Sequence, residues 1–327
     1  MSNSDAADDA PKVDGNYGVG EVAALLAKAI GAESTPGSMA EDGAKIDLKF
    51  SFGSLLMKGK ATIHCQVKTG NSYKAASSTR HAITLANIHK KDLEILGTHR
   101  PSMLVWLSGD PVPINLYRFV RRTMKTPVDI RVQFSITPAF HLDMSRELAS
   151  MGSTGFPRIT LPPPPPDDKA LMAQARTAYR ALKKAGAIPA ALTVPIDVTR
   201  MGWRHITRWG RASKKRRRSF RLIPYLPKLL AYRPSRYLIA NRVVVTVKDR
   251  MVDSREVIFW YEHAILADGV DSLVLIRIRE EIEYPANWMR GVYGRSQIKT
   301  RATLLGWWYK PTKEMSSASV THTAALS

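Results

Sequence analysis

At 327 residues the chain is long enough for about two domains with sizeable apolar cores. Lysine and arginine outnumber aspartate and glutamate by 49 to 28, which gives a formal net charge of +21 and favours a polyanionic partner. The single cysteine, Cys65, excludes intramolecular disulfides and a cysteine-rich zinc site. No apolar run is long enough to span a bilayer, and the chain does not open on a signal-peptide pattern. We therefore expect a cytoplasmic protein with no membrane partner.

Small, polar residues dominate both ends of the chain, so we expect disordered tails at 1–14 and 315–327. Apolar residues at helical spacing predict a helix over 19–30 that stops at Gly31. Glu21 falls in the first turn of this predicted helix, where a carboxylate complements the helix dipole. Residues 31–43 are predicted to form a loop.

A β-hairpin is predicted between residues 44 and 69, because apolar side chains recur at every second position of two segments separated by glycine-containing turn residues. The opposite face carries Asp47 on the first strand and Gln66 and Lys68 on the second. Each of these residues alone is typical of a solvated strand. Together, pairing of the strands brings a carboxylate, an amide oxygen and an amine side by side, which indicates a site for a divalent metal ion and a phosphate.

The segment after the hairpin predicts alternating helices and strands. Apolar spacing indicates a helix over 79–97 and another over 115–124. The continuous apolar run 103–107 is typical of a buried central strand, and residues 128–136 alternate as a further strand. This order of elements indicates an α/β fold.

Asp47, followed nineteen positions later by Gln66-Val67-Lys68, resembles the PD-(D/E)xK nuclease superfamily, in the variant in which glutamine replaces the second acidic residue. Upstream, the segment Gly20–Leu26 with its Glu21 is similar to the first helix of that superfamily and its acidic residue.

Two further segments, Asp42–Leu48 and Cys65–Thr69, are similar to the domain-of-unknown-function family 4365, a branch close to Mrr-type and Holliday-junction-resolving nucleases. Residues 100–107 resemble the next core strand of that family. The resemblance covers about residues 15–140, and it implies a restriction-endonuclease-like αβββαβ core.

The resemblance also implies roles for individual residues. Asp47, the Gln66 side-chain oxygen and the Val67 carbonyl would hold Mg²⁺ (or Mn²⁺), which prefers oxygen ligands and keeps several waters. Lys68 would orient the attacking water or stabilise charge on the scissile phosphate, and Glu21 would complete the site or orient Lys68. Glutamine in place of a carboxylate removes one negative charge and weakens metal affinity. A role in prokaryotic genome defence against phage follows from the same resemblance, with a homodimer or a partner protein of the defence system as possible assemblies.

A proline-rich segment at 151–168 divides the chain into a nuclease-like domain at 15–150 and a second domain at 169–314. The run Pro162–Pro166 predicts an extended, stiff spacer. Directly after it, Asp167-Asp168 is predicted to cap a helix that ends at Gly186.

The second domain opens on a strongly basic segment, in which eight of the fourteen residues from 208 to 221 are lysine or arginine. Interleaved arginine and tryptophan suit phosphate contact together with base stacking, and such charge density is unfavourable without an anionic partner. A solvated charge run or a localisation signal has the same composition. The predicted nucleic-acid-binding residues are Trp203, Arg204, His205, Arg208, Arg211, Lys214, Lys215, Arg216, Arg217 and Arg218.

Four strand-like segments rich in β-branched and aromatic residues follow, at 243–247, 257–266, 273–282 and 302–309. They predict a basic α+β domain with an antiparallel sheet. A histidine, helices and then about four strands faintly resemble the barnase–EndoU–RelE-type ribonucleases. That resemblance would make His205 an acid–base residue, with candidate partners Tyr293, Arg295, Thr300 and Arg301; a structural or phosphate-contacting His205 is the alternative.

The leading hypothesis from the sequence is a metal-dependent endonuclease that hydrolyses phosphodiester bonds, with DNA favoured over RNA as its partner. Two alternatives stay open. The second domain could itself be a metal-independent ribonuclease or toxin built on His205, or the whole protein could be a non-catalytic nucleic-acid-binding subunit of an assembly.

Overall fold

A computed structural model of the protein describes residues 15–110, 114–121, 124–151, 158–208, 210, 212–291 and 293–312. The described chain is mixed α/β and divides into two compact units. One contains the chain up to Gly53 together with Gly59–Phe140, and the other contains Ser54–Lys58 and the chain from His141 onward. The sequence instead placed the division in the proline-rich segment, which here belongs to the second unit. The two tails predicted to be disordered lie outside the described residues.

The first unit contains ten helices and strands among its described residues. In chain order they are α1 (Gly15–Ile30), β1 (Glu33–Pro36), α2 (Met39–Asp42), β2 (Leu48–Gly53), β3 (Lys60–Thr69), β4 (Ala82–Leu85), α3 (Lys90–Leu96), β5 (Ser102–Leu107), β6 (Asn115–Phe119) and β7 (Val128–Arg131). Five strands form one sheet in the order β1-β2-β3-β5-β6. Within it β3 and β5 are parallel, and the other neighbours are antiparallel. A separate antiparallel pair joins β4 to β7.

Strand β5 lies between β3 and β6 and is buried at every position, with five apolar residues after Ser102, as expected of a strand covered on both faces. Helix α1 packs on one side against β1, β2 and β3 through a stripe that includes Val22, Leu26 and Ala29. On the other side, one continuous apolar cluster combines residues of β5 with residues of α3, β4 and β7.

Several elements of the first unit agree with the sequence. Gly31, at a φ of +66°, ends α1, as predicted. The predicted hairpin is present as β2 and β3, with Gly59 at a φ of +93° before the second strand. The predicted buried strand is β5.

Other predictions for the first unit are wrong. Helix α1 begins at Gly15, so Glu21 lies in its second turn rather than its first. The predicted loop 31–43 contains β1 and α2, and the predicted helix 115–124 is the strand β6 as far as Phe119. The predicted strand 128–136 is shorter, because β7 ends at Arg131.

The predicted helix 79–97 is wrong in its first half. Ile83 and Leu85 alternate as buried residues of β4, which pairs with β7, and only α3 is helical. Asn87, at a φ of +57°, separates the strand from the helix, because that conformation interrupts both.

The second unit carries its helices before its long strands. In chain order its elements are α4 (Phe140–Met151, whose first residue closes the first unit), β8 (Ile159–Thr160), α5 (Asp168–Ala185), β9 (Ile196–Asp197), α6 (Arg200–Thr207), α7 (Ser213–Leu222), α8 (Leu226–Leu230), β10 (Arg236–Val247), β11 (Arg250–Ala267), β12 (Val270–Pro285) and β13 (Lys299–Pro311). The sheet order is β10-β11-β12-β13-β9, with β8 beside β11. The four long strands are antiparallel neighbours and include all four predicted strand segments.

Helix α5 forms as the sequence predicts. The Asp167 carboxylate accepts hydrogen bonds from the backbone N–H groups of Lys169 at 3.0 Å and Ala170 at 3.2 Å, so it caps the first turn. At the other end Gly186 adopts a φ of +61°. Helices α6 and α7 pack on β13, and α5 packs on α7, so the three helices form one layer beside the sheet.

A buried ionic cluster joins α4 to the sheet of the second unit. Arg146 and Arg255 both donate to the Glu280 carboxylate, and Arg255 also donates to Asp143 at 2.8 Å. Burial alone would raise the pKa of Glu280, but the two arginines outweigh it and hold that pKa below its usual value. The cluster fixes the first turns of α4 against β11 and β12.

None of the helices in the described ranges combines the length and apolar character that crossing a membrane requires.

Candidate metal and phosphate site

Asp47 and Gln66 come together where β2 begins and β3 approaches its end. The Asp47 N–H donates to the Cys65 carbonyl at 2.9 Å, and the Asp47 carbonyl accepts from the N–H of Gly37 at 2.9 Å. These bonds hold the backbone of Asp47 between Gly37 and Cys65, and Cys65 directly precedes Gln66. The structure therefore brings together the aspartate and the glutamine, as the hairpin predicts.

The Asp47 carboxylate is half-buried and anchored at one oxygen. Its Oδ2 accepts a hydrogen bond from the Val67 N–H at 2.7 Å, whereas no donor of the described residues reaches Oδ1. Burial raises the pKa of Asp47, while the Val67 N–H and the positive charge of Lys68 oppose that rise. The negative charge of Asp42 acts in the same direction as burial. A carboxylate held in this way has one oxygen fixed by the protein and one available to a ligand.

Gln66 is the least expected part of the site, because its side chain is only 2% exposed. Its Oε1 is buried and has no hydrogen-bond partner in the described part of the chain. An unsatisfied buried acceptor costs about 1–3 kcal/mol, so such groups in folded proteins normally have a partner in water, an ion or a ligand. The neighbouring residue on β5 is Leu104, which belongs to the apolar cluster and supplies no donor.

The oxygen types at this site are those that a small hard cation prefers. Mg²⁺ is usually bound by one or two carboxylates and keeps several of its waters. One carboxylate oxygen from Asp47 and one amide oxygen from Gln66 match that requirement. Across the described ranges, no three side chains of histidine, cysteine, aspartate or glutamate are grouped to hold a metal ion. A cation at this site would thus depend on amide, carbonyl and water oxygens beyond its single carboxylate.

Val67 contributes its backbone N–H, which the structure shows donated to Asp47. The metal-binding role expected for its carbonyl oxygen stays a prediction. This N–H bond is nevertheless important, because it ties the strand that carries Gln66 to the carboxylate of Asp47.

Lys68 lies on the same strand face as Gln66, two residues further along β3. Its ammonium nitrogen is 5.5 Å from the centre of the Tyr73 ring, a cation–π contact that positions the half-buried side chain. No carboxylate among the described residues forms an ion pair with Lys68. The amine is close enough to Asp47 to oppose the rise in the pKa of that carboxyl, and it remains able to contact a phosphate.

Glu21 is not joined to the other predicted site residues. No hydrogen bond or ion pair connects it with Asp47, Gln66 or Lys68. It lies on α1 one turn after Gly18, where a Cβ atom would clash with Thr69 at the end of β3. The helix therefore approaches the strand end that carries Lys68, but the role predicted for Glu21 stays a prediction.

The predicted nucleic-acid-binding segment splits into covered and exposed side chains. The Trp203 ring packs against Phe220, at 5.9 Å between ring centres, and against Tyr179, at 5.3 Å. Arg217 pairs with Asp168 at 2.7 Å, and Arg218 lies over the Tyr309 ring. Arg211 lies outside the described residues. Exposed side chains remain at Arg204, Arg208, Lys214 and Lys215, whereas His205 and Arg216 are half-buried.

His205 lies against Gly306 of β13, since a Cβ on that glycine would be 3.0 Å from the His205 ring. Thr300 and Arg301 lie at the other end of the same strand, roughly 16 Å or more away at about 3.3 Å per residue. Arg301 is also paired with Asp197 at 2.8 Å. The structure therefore does not bring these two predicted partners to His205.

Comparison of the chain with models of protein families, with curated proteins and with solved structures finds no match in any of the three. The assignment of the site rests on its geometry and on the residues that form it.

Proposed function

We propose that the first unit is a divalent-metal-dependent nuclease that hydrolyses phosphodiester bonds. The observation that carries this proposal is the buried Oε1 of Gln66, which lacks a donor beside a carboxylate with one unengaged oxygen. Lys68 adds a cation on the same strand face. The anionic and the neutral oxygen suit a metal ion, and the ammonium group suits a phosphate bound to that ion.

The order of elements in the first unit supports the restriction-endonuclease-like core that the sequence predicts. Leaving aside the short helix α2 after β1 and the strand β4 after β3, the order of α1, β1 to β3, α3 and β5 is αβββαβ, and β5 is parallel to β3. Asp47 directly precedes β2, and Gln66 and Lys68 lie near the end of β3; their position on paired strands supports the proposal.

In this proposal Asp47, the Gln66 Oε1 and the Val67 carbonyl would hold Mg²⁺ (or Mn²⁺). The ion would supply Lewis acidity and lower the pKa of a bound water. The Val67 N–H fixes one oxygen of Asp47 and leaves the other for the ion. Lys68 stabilises the negative charge that develops on the scissile phosphate, and its contact with Tyr73 limits the positions of the amine.

We also propose that the partner is nucleic acid, with DNA favoured over RNA, and that the basic second unit contributes to its capture in the cytoplasm. The net charge of +21 supports a polyanion. Gln66 in place of a carboxylate lowers the negative charge of the site, which is the feature that favours a non-catalytic binding subunit as the second candidate.

A cleavage assay on the full-length protein tests the proposal, with DNA and RNA substrates, in Mg²⁺ and in EDTA. Asp47→Asn and Lys68→Met are expected to lower the rate by about a hundredfold or more. Lys49→Met is the matched control, because Lys49 lies on β2 close to Asp47 but pairs with Glu41 at 2.7 Å. Its rate should change little.

Three results would contradict the proposal. Cleavage in EDTA that is lost in His205→Ala would indicate the metal-independent ribonuclease. Salt-sensitive binding without cleavage would indicate the non-catalytic subunit. Equal losses in Lys68→Met and Lys49→Met would show that only total charge matters.

A further inference from the structure

The helical layer of the second unit concentrates positive charge. Helices α5, α6 and α7 together contain thirteen lysines and arginines but a single aspartate, Asp168. That aspartate is already paired with Arg217 of α7. The sheet is different, since Arg242, Arg277 and Arg301 each contact a carboxylate. An excess of cations therefore remains on the helices.

The cations of α5 and α6 form two neighbouring rows. The guanidinium of Arg176 lies 5.8 Å from the centre of the Trp203 ring, and the Tyr179 hydroxyl donates to the Thr199 carbonyl at 2.6 Å, so this part of α5 adjoins α6. Residues three, four, seven or eight positions apart share one side of a helix. We define the α5–α6 basic surface by its exposed cations, which are Arg176, Arg180, Lys183, Lys184, Arg200 and Arg204.

No residue of the α5–α6 basic surface forms an ion pair with a described carboxylate. On α6 the two arginines are one helical turn apart, about 6 Å, and Arg176 and Arg180 have the same spacing on α5. Regularly spaced cations without counter-charges repel one another unless an anion of similar length neutralises them.

Among the described residues, the aromatic side chains that join α5, α6 and α7 already pack against other rings. The Trp203 ring packs between Phe220 and Tyr179, and Tyr179 stacks on Trp307 at 5.7 Å. Tyr179 and Trp307 are themselves buried. Single-stranded nucleic acids are usually bound by aromatic rings that stack on splayed bases. The described part of this layer offers phosphate-binding cations without an open ring face.

We propose that the α5–α6 basic surface binds double-stranded nucleic acid through its phosphates, without base stacking and without sequence preference. This proposal names a duplex as the substrate class of the proposed nuclease. Its interpretation as substrate capture rests on the proposed function. It also assigns Arg176, Arg180, Lys183 and Lys184 of α5 to binding, none of which belongs to the predicted basic segment. Phosphate contacts position a protein on a duplex but carry no direct sequence information.

Binding is measured by fluorescence anisotropy on full-length protein carrying Asp47→Asn, in EDTA, with duplex and single-stranded DNA of one sequence. The triple variant Arg176→Gln, Arg180→Gln and Arg204→Gln is compared with a control that loses the same charge elsewhere in the unit. The control variant replaces the exposed residues Arg290, Arg295 and Lys299 by glutamine. Thermal unfolding of both variants verifies that each is folded.

We expect the unaltered surface to bind the duplex at least about tenfold more tightly than the single strand. The triple variant should reduce the slope of log K against log salt concentration by about three, one for each lost phosphate contact, and the control by less than one. Equal losses in both variants, or tighter binding of the single strand, would overturn the inference. Binding to anionic lipid vesicles that is lost in the triple variant, without duplex binding, would assign the surface to a membrane instead.

The inference and the proposed function fail separately. Duplex binding that depends on the α5–α6 basic surface, in a protein that cleaves nothing, leaves the inference intact and removes the nuclease. Cleavage by the natural protein, together with normal duplex binding by the triple variant, leaves the nuclease intact and removes the inference.

Discussion

Replacing Gln66 by methionine tests the unsatisfied amide oxygen at the centre of the site. Methionine has a similar length and no branch, so it fills the same space without an amide acceptor. In the metal-free protein the substitution removes a buried group that lacks a donor. We therefore expect Gln66→Met to stabilise the first unit by about 1–3 kcal/mol in EDTA, where most buried substitutions destabilise.

With metal present the stability advantage of Gln66→Met over the natural protein should largely disappear or reverse. A ligand at a hundred times its dissociation constant stabilises the state that binds it by about 2.7 kcal/mol. The natural protein should gain this amount on addition of Mg²⁺, and Gln66→Met should gain little because it has lost one of two side-chain ligands. Hydrogen exchange of the β2 and β3 amides, measured by mass spectrometry in EDTA and in saturating Mg²⁺, reports the stability of this unit alone.

Gln174→Met is a suitable control, since Gln174 is exposed on α5 and the change should leave exchange in β2 and β3 unaltered. The reasoning would be refuted if Gln66→Met destabilised the metal-free protein by 1 kcal/mol or more, in the range typical of a lost hydrogen bond. Faster exchange in EDTA would then mean that Oε1 has a protein donor and no need of a cation.

Three further predictions concern Gln66, Glu280 and Gly202. Gln66→Glu supplies a second carboxylate, so isothermal titration calorimetry should show Mg²⁺ bound about tenfold more tightly; unchanged affinity would place the ion elsewhere. Glu280→Gln leaves two buried arginines without their shared carboxylate and should lower second-unit stability by about 3–5 kcal/mol at pH 7. Because the pKa of Glu280 is lowered on folding, its stabilisation is complete above the unfolded value near 4.3 and is lost as pH falls through the folded value. Urea unfolding between pH 7 and 3 should therefore show that the stability difference between Glu280→Gln and the natural protein shrinks below about pH 4. A difference that stays constant would contradict the pairing. Gly202→Ala places a Cβ 2.6 Å from the Leu304 carbonyl oxygen and should lower the thermal stability of the second unit by about 1–3 kcal/mol; an unchanged melting temperature would mean that α6 can move away from β13.

Local patterns in the sequence predict the hairpin and the position of Asp47 beside Gln66, because side chains of paired strands alternate with a period of two. They do not predict that Gln66 is buried without a partner. That property depends on β5 and on the apolar cluster that contains Leu104, which lie almost forty residues further along the chain. A polar residue on an apparently open strand face gives no signal of its burial.

The wrong helix at 79–97 has a similar cause. Apolar residues such as Ile83 and Leu93 are consistent with a helical stripe, but Ile83 pairs with Ile130 in a two-stranded sheet whose second strand comes much later. Tertiary pairing overrides the local pattern there. The predicted stacking role of Trp203 fails in the same way, because the sequence does not reveal that Tyr179 and Phe220 cover its ring.

Local patterns also do not predict contacts in the second unit between residues that are distant in sequence. Glu280 lies on the same face of β12 as Ile278 and Ile282, and nothing near it in the chain indicates that Arg146 and Arg255 are its partners. Tyr73, which positions Lys68, follows it by five residues in a single 3₁₀ turn (Asn71–Tyr73), where no periodic pattern indicates a contact.

Crystals of the protein grown with Mn²⁺ test the central claim most directly, since anomalous scattering locates this ion independently of any refined site. We expect one anomalous peak about 2 Å from both an Asp47 carboxylate oxygen and the Oε1 of Gln66. A map without that peak, with Oε1 hydrogen-bonded to a protein donor instead, would contradict the metal site and the nuclease proposed from it.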